Sequence, residues 1–98
     1  MSKLVRDKIP QIIENNGKTC RSRIMEQEEY IRALEEKLTE ELAEYQESKA
    51  LEELADLLEV MEATVKARGY TWAQLLELKD AKKAARGGFE DRILLITE

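Results

Sequence analysis

Histidine is absent and cysteine occurs once, so the nitrogen and sulphur ligands of the usual zinc sites are missing from this chain. Cys20, being alone, forms no internal disulfide; it suits a reducing compartment and reads as a small semi-buried residue without a chemical role. No apolar run approaches the length of a membrane span, and the opening MSKLVRDKIP has no signal-peptide core, so a soluble, cytoplasmic protein is expected. An excess of positive charge is also lacking. The net charge of −5 disfavours a nucleic-acid polymer as partner, and nothing favours a membrane. Proline and glycine are scarce, at 1 and 4 residues, and they fall at breaks between helical stretches.

What the chain has in plenty is acid. Asp and Glu number 21, and Glu40 to Asp56 reads EELAEYQESKALEELAD. Two clusters of one form stand in this stretch, Glu40-Glu41-x-x-Glu44 and Glu52-Glu53-x-x-Asp56. Residues three apart on an α-helix lie about 60° apart around the axis, so each cluster can aim two carboxylates at one point. Two such helices side by side form an oxygen-rich basket suited to a hard divalent cation. Helix surfaces also carry acidic runs for solubility alone, and ExxE spacing by itself does not separate the two readings.

The apolar pattern bears on that choice. Ile31, Leu34, Leu38, Leu42 and Tyr45 form a stripe about 80° wide on a helical wheel, and Glu41 and Glu44 flank it. Leu51, Leu54, Leu58, Met61 and Val65 form a similar stripe, which Leu57 extends toward the side of Glu53, Val60 and Thr64. Glu53 thus has apolar neighbours, which is unusual for a carboxylate that only solvates a surface.

In chain order, the pattern predicts a short helix from Pro10 to about Asn15, ended by Asn16-Gly17. Lys18 to Met25 reads as an extended connector or short strand. A helix from Glu26 or Gln27 to about Glu47 follows; Ser48 is positioned to cap the next, from about Lys49 to Ala67, with Gly69 as a left-handed terminator. So short a connection makes these two helices antiparallel neighbours and brings the acidic clusters together. Thr71-Trp72-Ala73-Gln74 is a capping box, so a fourth helix is expected through about Arg86, with Leu75, Leu76 and Leu78 buried. Trp72 reads as core or interface. The tail Ile93-Leu94-Leu95-Ile96 is too apolar to lie free in water and is expected to form a strand or an oligomer contact.

The cations collect near both ends. Lys82 and Arg86 share one helix face before Gly87-Gly88, an arrangement that suits either a phosphate contact or simple complementation of the helix dipole. At the other end Lys3, Arg6 and Lys8 alternate with Leu4, Val5 and Ile9, as in an arm that packs down and aims its cations.

Taken together, KLVRDKIP, EELAEY, LEELADLLEV and RGGF, in this order and over almost the whole chain, closely resemble the compact MazG-like group related to phosphoribosyl-ATP pyrophosphohydrolase. The resemblance implies a single all-α domain (1–98), a MazG-like helical bundle around a central antiparallel hairpin, with its core completed by oligomerisation to a homodimer or homotetramer. It also implies a hydrolase, an Mg²⁺-dependent nucleotide pyrophosphohydrolase that cleaves a nucleoside triphosphate or related nucleotide to monophosphate and pyrophosphate, in a house-cleaning role. By position, Glu41, Glu44, Glu53 and Asp56 match its metal ligands, and Glu40 the leading acid. Lys82 and Arg86 match its basic residues before the glycine pair, and Lys3, Arg6, Asp7 and Lys8 its N-terminal motif.

The chemistry agrees with the residues. Acids cannot bind a polyanionic phosphate chain directly, so Mg²⁺ would bridge them, while Lys and Arg neutralise the departing pyrophosphate. Glu40, the leading acid of the first cluster, is a candidate base. Two alternatives stay open at this level: hydrolysis of phosphoribosyl-ATP, and a helical module that binds nucleotide without cleaving it. Helices with an apolar face each have too few partners within 98 residues, so at least a homodimer is expected.

Overall fold

The computed structural model describes residues 2–96 and contains four helices and, among these residues, no strand. Helix α1 spans Ile9–Asn15, α2 Gln27–Ser48, α3 Leu51–Ala67 and α4 Trp72–Arg86. Pro10 sits in the first turn of α1, where its missing N–H costs no hydrogen bond. The connector from Lys18 to Glu26 has no regular secondary structure, so the short strand does not form. It is tied back to α1 by Cys20, whose thiol donates to the Pro10 carbonyl at 3.7 Å.

The antiparallel hairpin of α2 and α3 is the centre of the fold, and its two ends are fastened differently. At the open end, Gln27 Nε2 donates to the Ala67 carbonyl at 3.0 Å and Arg68 Nη2 to Glu35 Oε1 at 2.8 Å, joining the start of α2 to the end of α3. At the closed end the turn departs from the sequence expectation. Ser48 is the last residue of α2, not the cap of a helix beginning at Lys49. Lys49 adopts the left-handed conformation (φ 60°) and donates its N–H to the Tyr45 carbonyl at 2.7 Å, while Ser48 Oγ accepts from Ala50 N–H at 3.1 Å. A non-glycine residue is strained there, and the Lys49 ammonium offsets part of that cost by lying 5.7 Å from the Tyr45 ring centroid.

Helix α4 follows from its local code. Thr71 Oγ1 accepts from Gln74 N–H at 3.1 Å and Gln74 Oε1 accepts from Thr71 N–H at 2.8 Å, so both halves of the capping box form. Gly69 (φ 89°) supplies the left-handed break before it.

Packing within the chain is thin. Leu34 is the only hydrophobic side chain among the described residues that is fully buried, at 2% exposure. The apolar stripe of α3 points away from α2: Leu51 is 80% exposed and Leu58 49%. Glu53, Leu57, Val60 and Thr64 are half-buried, on a face roughly a third of a turn from the stripe. Helix α3 is apolar on two sides and α2 can cover one. Leu76 and Leu78 of α4 are likewise exposed rather than buried, and the tail Ile93 to Ile96 extends outward.

Because so little else is buried, Leu34→Ala should cost about 3 kcal/mol, near the middle of the range for a leucine truncated in a core. Urea denaturation at one fixed protein concentration checks this; a loss below about 1 kcal/mol would mean that Leu34 is not the centre of the core.

Candidate metal centre

The site forms where the hairpin brings the acidic clusters face to face. Carboxylate oxygens of Glu41, Glu53 and Asp56, one from α2 and two from α3, lie within 4.8 Å of one another. Glu40, Glu41 and Glu44 form a second such group along α2, and Glu41 belongs to both. All five residues selected from the sequence are therefore in one acidic patch with Glu41 at its centre.

Glu41 is also the one buried charged residue among those described, at 6% exposure. Its Oε1 lies 3.6 Å from Lys37 Nζ, and its Oε2 is buried with no hydrogen-bond partner. A buried carboxylate oxygen without a partner is costly, and the residue that carries it stands within a cluster of other acids. Burial, and then the close approach and charge of the Glu44 carboxylate, hold the Glu41 carboxyl above its ordinary range, against a smaller opposing pull from Lys37. Glu53 is pushed up in the same direction, by partial burial first and then by the charges of Glu44 and Asp56. Glu40 faces Lys37 at 3.4 Å, with its side chain 42% exposed at the rim.

A hard cation fits these donors. The ligands are all oxygens, they come from two rigid helices, and the central one has an oxygen without a partner. Beside them lies a groove of about 740 Å³ whose wall includes Glu41 and Asp56, with Tyr30, Leu34 and Val60 as apolar surface. That volume falls in the range of small-molecule sites.

The basic residues divide between two places. Lys3 and Arg6 of the N-terminal arm line this groove, and Lys8 stands exposed at the start of α1. Lys82 and Arg86 line a separate groove with Gly87, Gly88 and Phe89 at the end of α4, where Glu90 also contributes. The single chain thus brings the acids together with the arm but not with the α4 cations. Two participants escaped the sequence reading. Lys37 was detectable, since it stands three and four residues before Glu40 and Glu41. Glu59, 4.0 Å from Arg6, had no local signal.

No protein-family profile matches the chain, and no solved structure matches it. An uncharacterised protein of Mycolicibacterium smegmatis is 48% identical to it over 44 residues. That match spans 45% of this chain and 45% of the relative. Among the described residues, no helix is long and apolar enough to cross a membrane.

Proposed function

We propose that this chain is a MazG-like nucleotide pyrophosphohydrolase that requires Mg²⁺ and releases pyrophosphate from a nucleoside triphosphate or a related nucleotide. The observation that carries this reading is the buried, unpartnered Oε2 of Glu41 at the corner shared by two groups of carboxylates. A solvated acidic face does not bury a carboxylate oxygen without a partner; a cation-binding cluster does. The resemblance of the N-terminal, central and RGGF motifs supplies the reaction class.

Glu41, Glu44, Glu53 and Asp56 would hold the ion, which when bound polarises phosphoryl oxygens and lowers the pKa of a water. Glu40, at the rim of the cluster, would orient a water or take its proton. The groove wall of Leu4, Tyr30 and Val60 offers apolar surface to the nucleoside. Lys3 and Arg6 face the phosphate chain from the arm.

Lys82 and Arg86 lie in their own groove, so their contact with phosphate in the same site requires a second copy. The exposed surface supports such a partner. The chain exposes 9079 Å², against roughly 5,700 Å² for a compact monomer of this mass. Its radius of gyration is 17.7 Å, against roughly 13 Å for a compact chain of this length. We therefore read the working unit as a homodimer at least.

The deciding assay is pyrophosphate release across a panel of canonical and modified nucleoside triphosphates, with Mg²⁺ and with a chelator. Release from one or more of them that stops on chelation is the expected result. Silence across the panel and on phosphoribosyl-ATP, with the protein folded and Mg²⁺ present, would reject hydrolysis and leave a binding module.

A further inference from the structure

One of the two cations that meet the acidic cluster comes from outside the hairpin. Arg6 Nη2 donates to Asp56 Oδ1 at 2.7 Å, and Arg6 Nη1 lies 4.0 Å from Glu59 Oε1, fifty residues away along the chain in the first case. Asp56 is a member of the carboxylate group centred on Glu41. The candidate site and the arm are thus joined through one of the site's own carboxylates.

The two cations differ in how firmly they are held. Lys37 is 18% exposed, sits on the same helix as Glu40 and Glu41, and faces both at helical spacing. It belongs to the scaffold. Arg6 is 58% exposed and sits on an irregular arm, and its ion pair with Asp56 is solvated on both sides. Pairs of that kind are weak and exchange readily. The flanking Leu4 and Val5 are half-buried, and the Arg6 carbonyl accepts from Ile9 N–H at 3.1 Å, so the backbone stays anchored while the long side chain can turn.

A guanidinium serves a carboxylate and a phosphate by the same forked geometry. A divalent cation on the Asp56 carboxylate draws its charge and repels the guanidinium, so it weakens that exposed pair. We propose that Arg6 is an exchangeable counter-ion: it neutralises Asp56 and Glu59 while the cluster holds no divalent cation, and it transfers to the phosphate chain of the ligand when a cation takes Asp56. The arm then acts as a strap that couples occupancy of the metal site to capture of phosphate. This inference rests on the metal reading above but adds a prediction that the metal reading does not make, namely that removing a positive charge from the arm tightens cation binding.

The test uses the metal-free full-length protein, with Mn²⁺ binding followed by electron paramagnetic resonance and pyrophosphate binding to the Mn²⁺-loaded protein followed by calorimetry. Arg6→Ala should bind Mn²⁺ about two- to fivefold more tightly, the range set by loss of a competing exposed ion pair. The same variant should bind pyrophosphate about tenfold more weakly, having lost a charge-assisted contact. Arg6→Lys, which keeps the charge, should stay near wild type for Mn²⁺ and recover part of the pyrophosphate affinity. An arm residue that merely braces the fold would leave Mn²⁺ affinity unchanged or weaken it, and either result overturns the exchange. Unchanged pyrophosphate affinity in Arg6→Ala overturns it as well. Failure of the metal reading shows separately, as wild-type protein that takes up no Mn²⁺, and both ideas then fall together.

Discussion

Replacing Glu41 with glutamine should lower pyrophosphate release at least about a hundredfold while leaving the helices intact and, without metal, making the protein more stable. The two effects have one origin. Glu41 is buried, has an unpartnered oxygen and stands among Glu44, Glu53 and Asp56, so its charge is unfavourable to the fold until a cation balances it. Glutamine keeps the size and removes the charge, and with it a ligand. Glu53→Gln should act in the same direction on turnover.

The pH dependence follows from the raised pKa values. The Glu41 and Glu53 carboxyls lie above their ordinary range, so the folded chain binds more protons than the unfolded one in a window that opens at roughly pH 4.3 and closes at the raised values. Their contribution to stability falls as pH rises through that window. Below it both states are protonated and the glutamine variant has no advantage. In chelator, the gap in Tm between Glu41→Gln and wild type is therefore expected to be small in acid and to widen toward neutral pH. Thermal melts by circular dichroism across pH would show this. A variant less stable than wild type at neutral pH would mean that the Glu41 carboxylate is satisfied in the metal-free fold, which removes the main support for the site.

The second large effect concerns the uncovered face of α3. Wild-type protein should be a homodimer or larger by light scattering at micromolar concentration, and Leu54→Asp combined with Leu58→Asp should raise its dissociation constant more than a thousandfold. Leu54 and Leu58 are 40% and 49% exposed within one chain and belong to the stripe that α2 does not cover. The chain exposes roughly 3,400 Å² more than a compact monomer would, enough to supply an obligate interface. Each leucine buried in such an interface contributes roughly 1.5–3 kcal/mol, a dimer has two copies of each, and every aspartate adds the cost of a desolvated charge. A wild-type chain that is monomeric at these concentrations would refute the shared core, and with it the delivery of Lys82 and Arg86 from a second copy.

The amino-acid sequence by itself determined what depends on neighbours within a turn or two. The capping box at Thr71, the left-handed break at Gly69, the extent of α2 and α4, and the spacing that lines up Glu41 with Glu44 and Glu53 with Asp56 are consequences of local hydrogen bonding and helical period. Tertiary structure decided which of two apolar faces of α3 meets α2. Periodicity reports that a face is apolar but not what will cover it, and the hairpin turned Glu53 and Asp56 toward Glu41, leaving the Leu51 to Met61 stripe outside. It decided that Lys49, not a residue suited to the conformation, takes the left-handed turn, because closing the hairpin outweighs a local strain of roughly 1–2 kcal/mol. It also selected Glu41 as the buried acid and put Arg6 on Asp56 across fifty residues, since depth and long-range charge pairing exist only once the helices have packed.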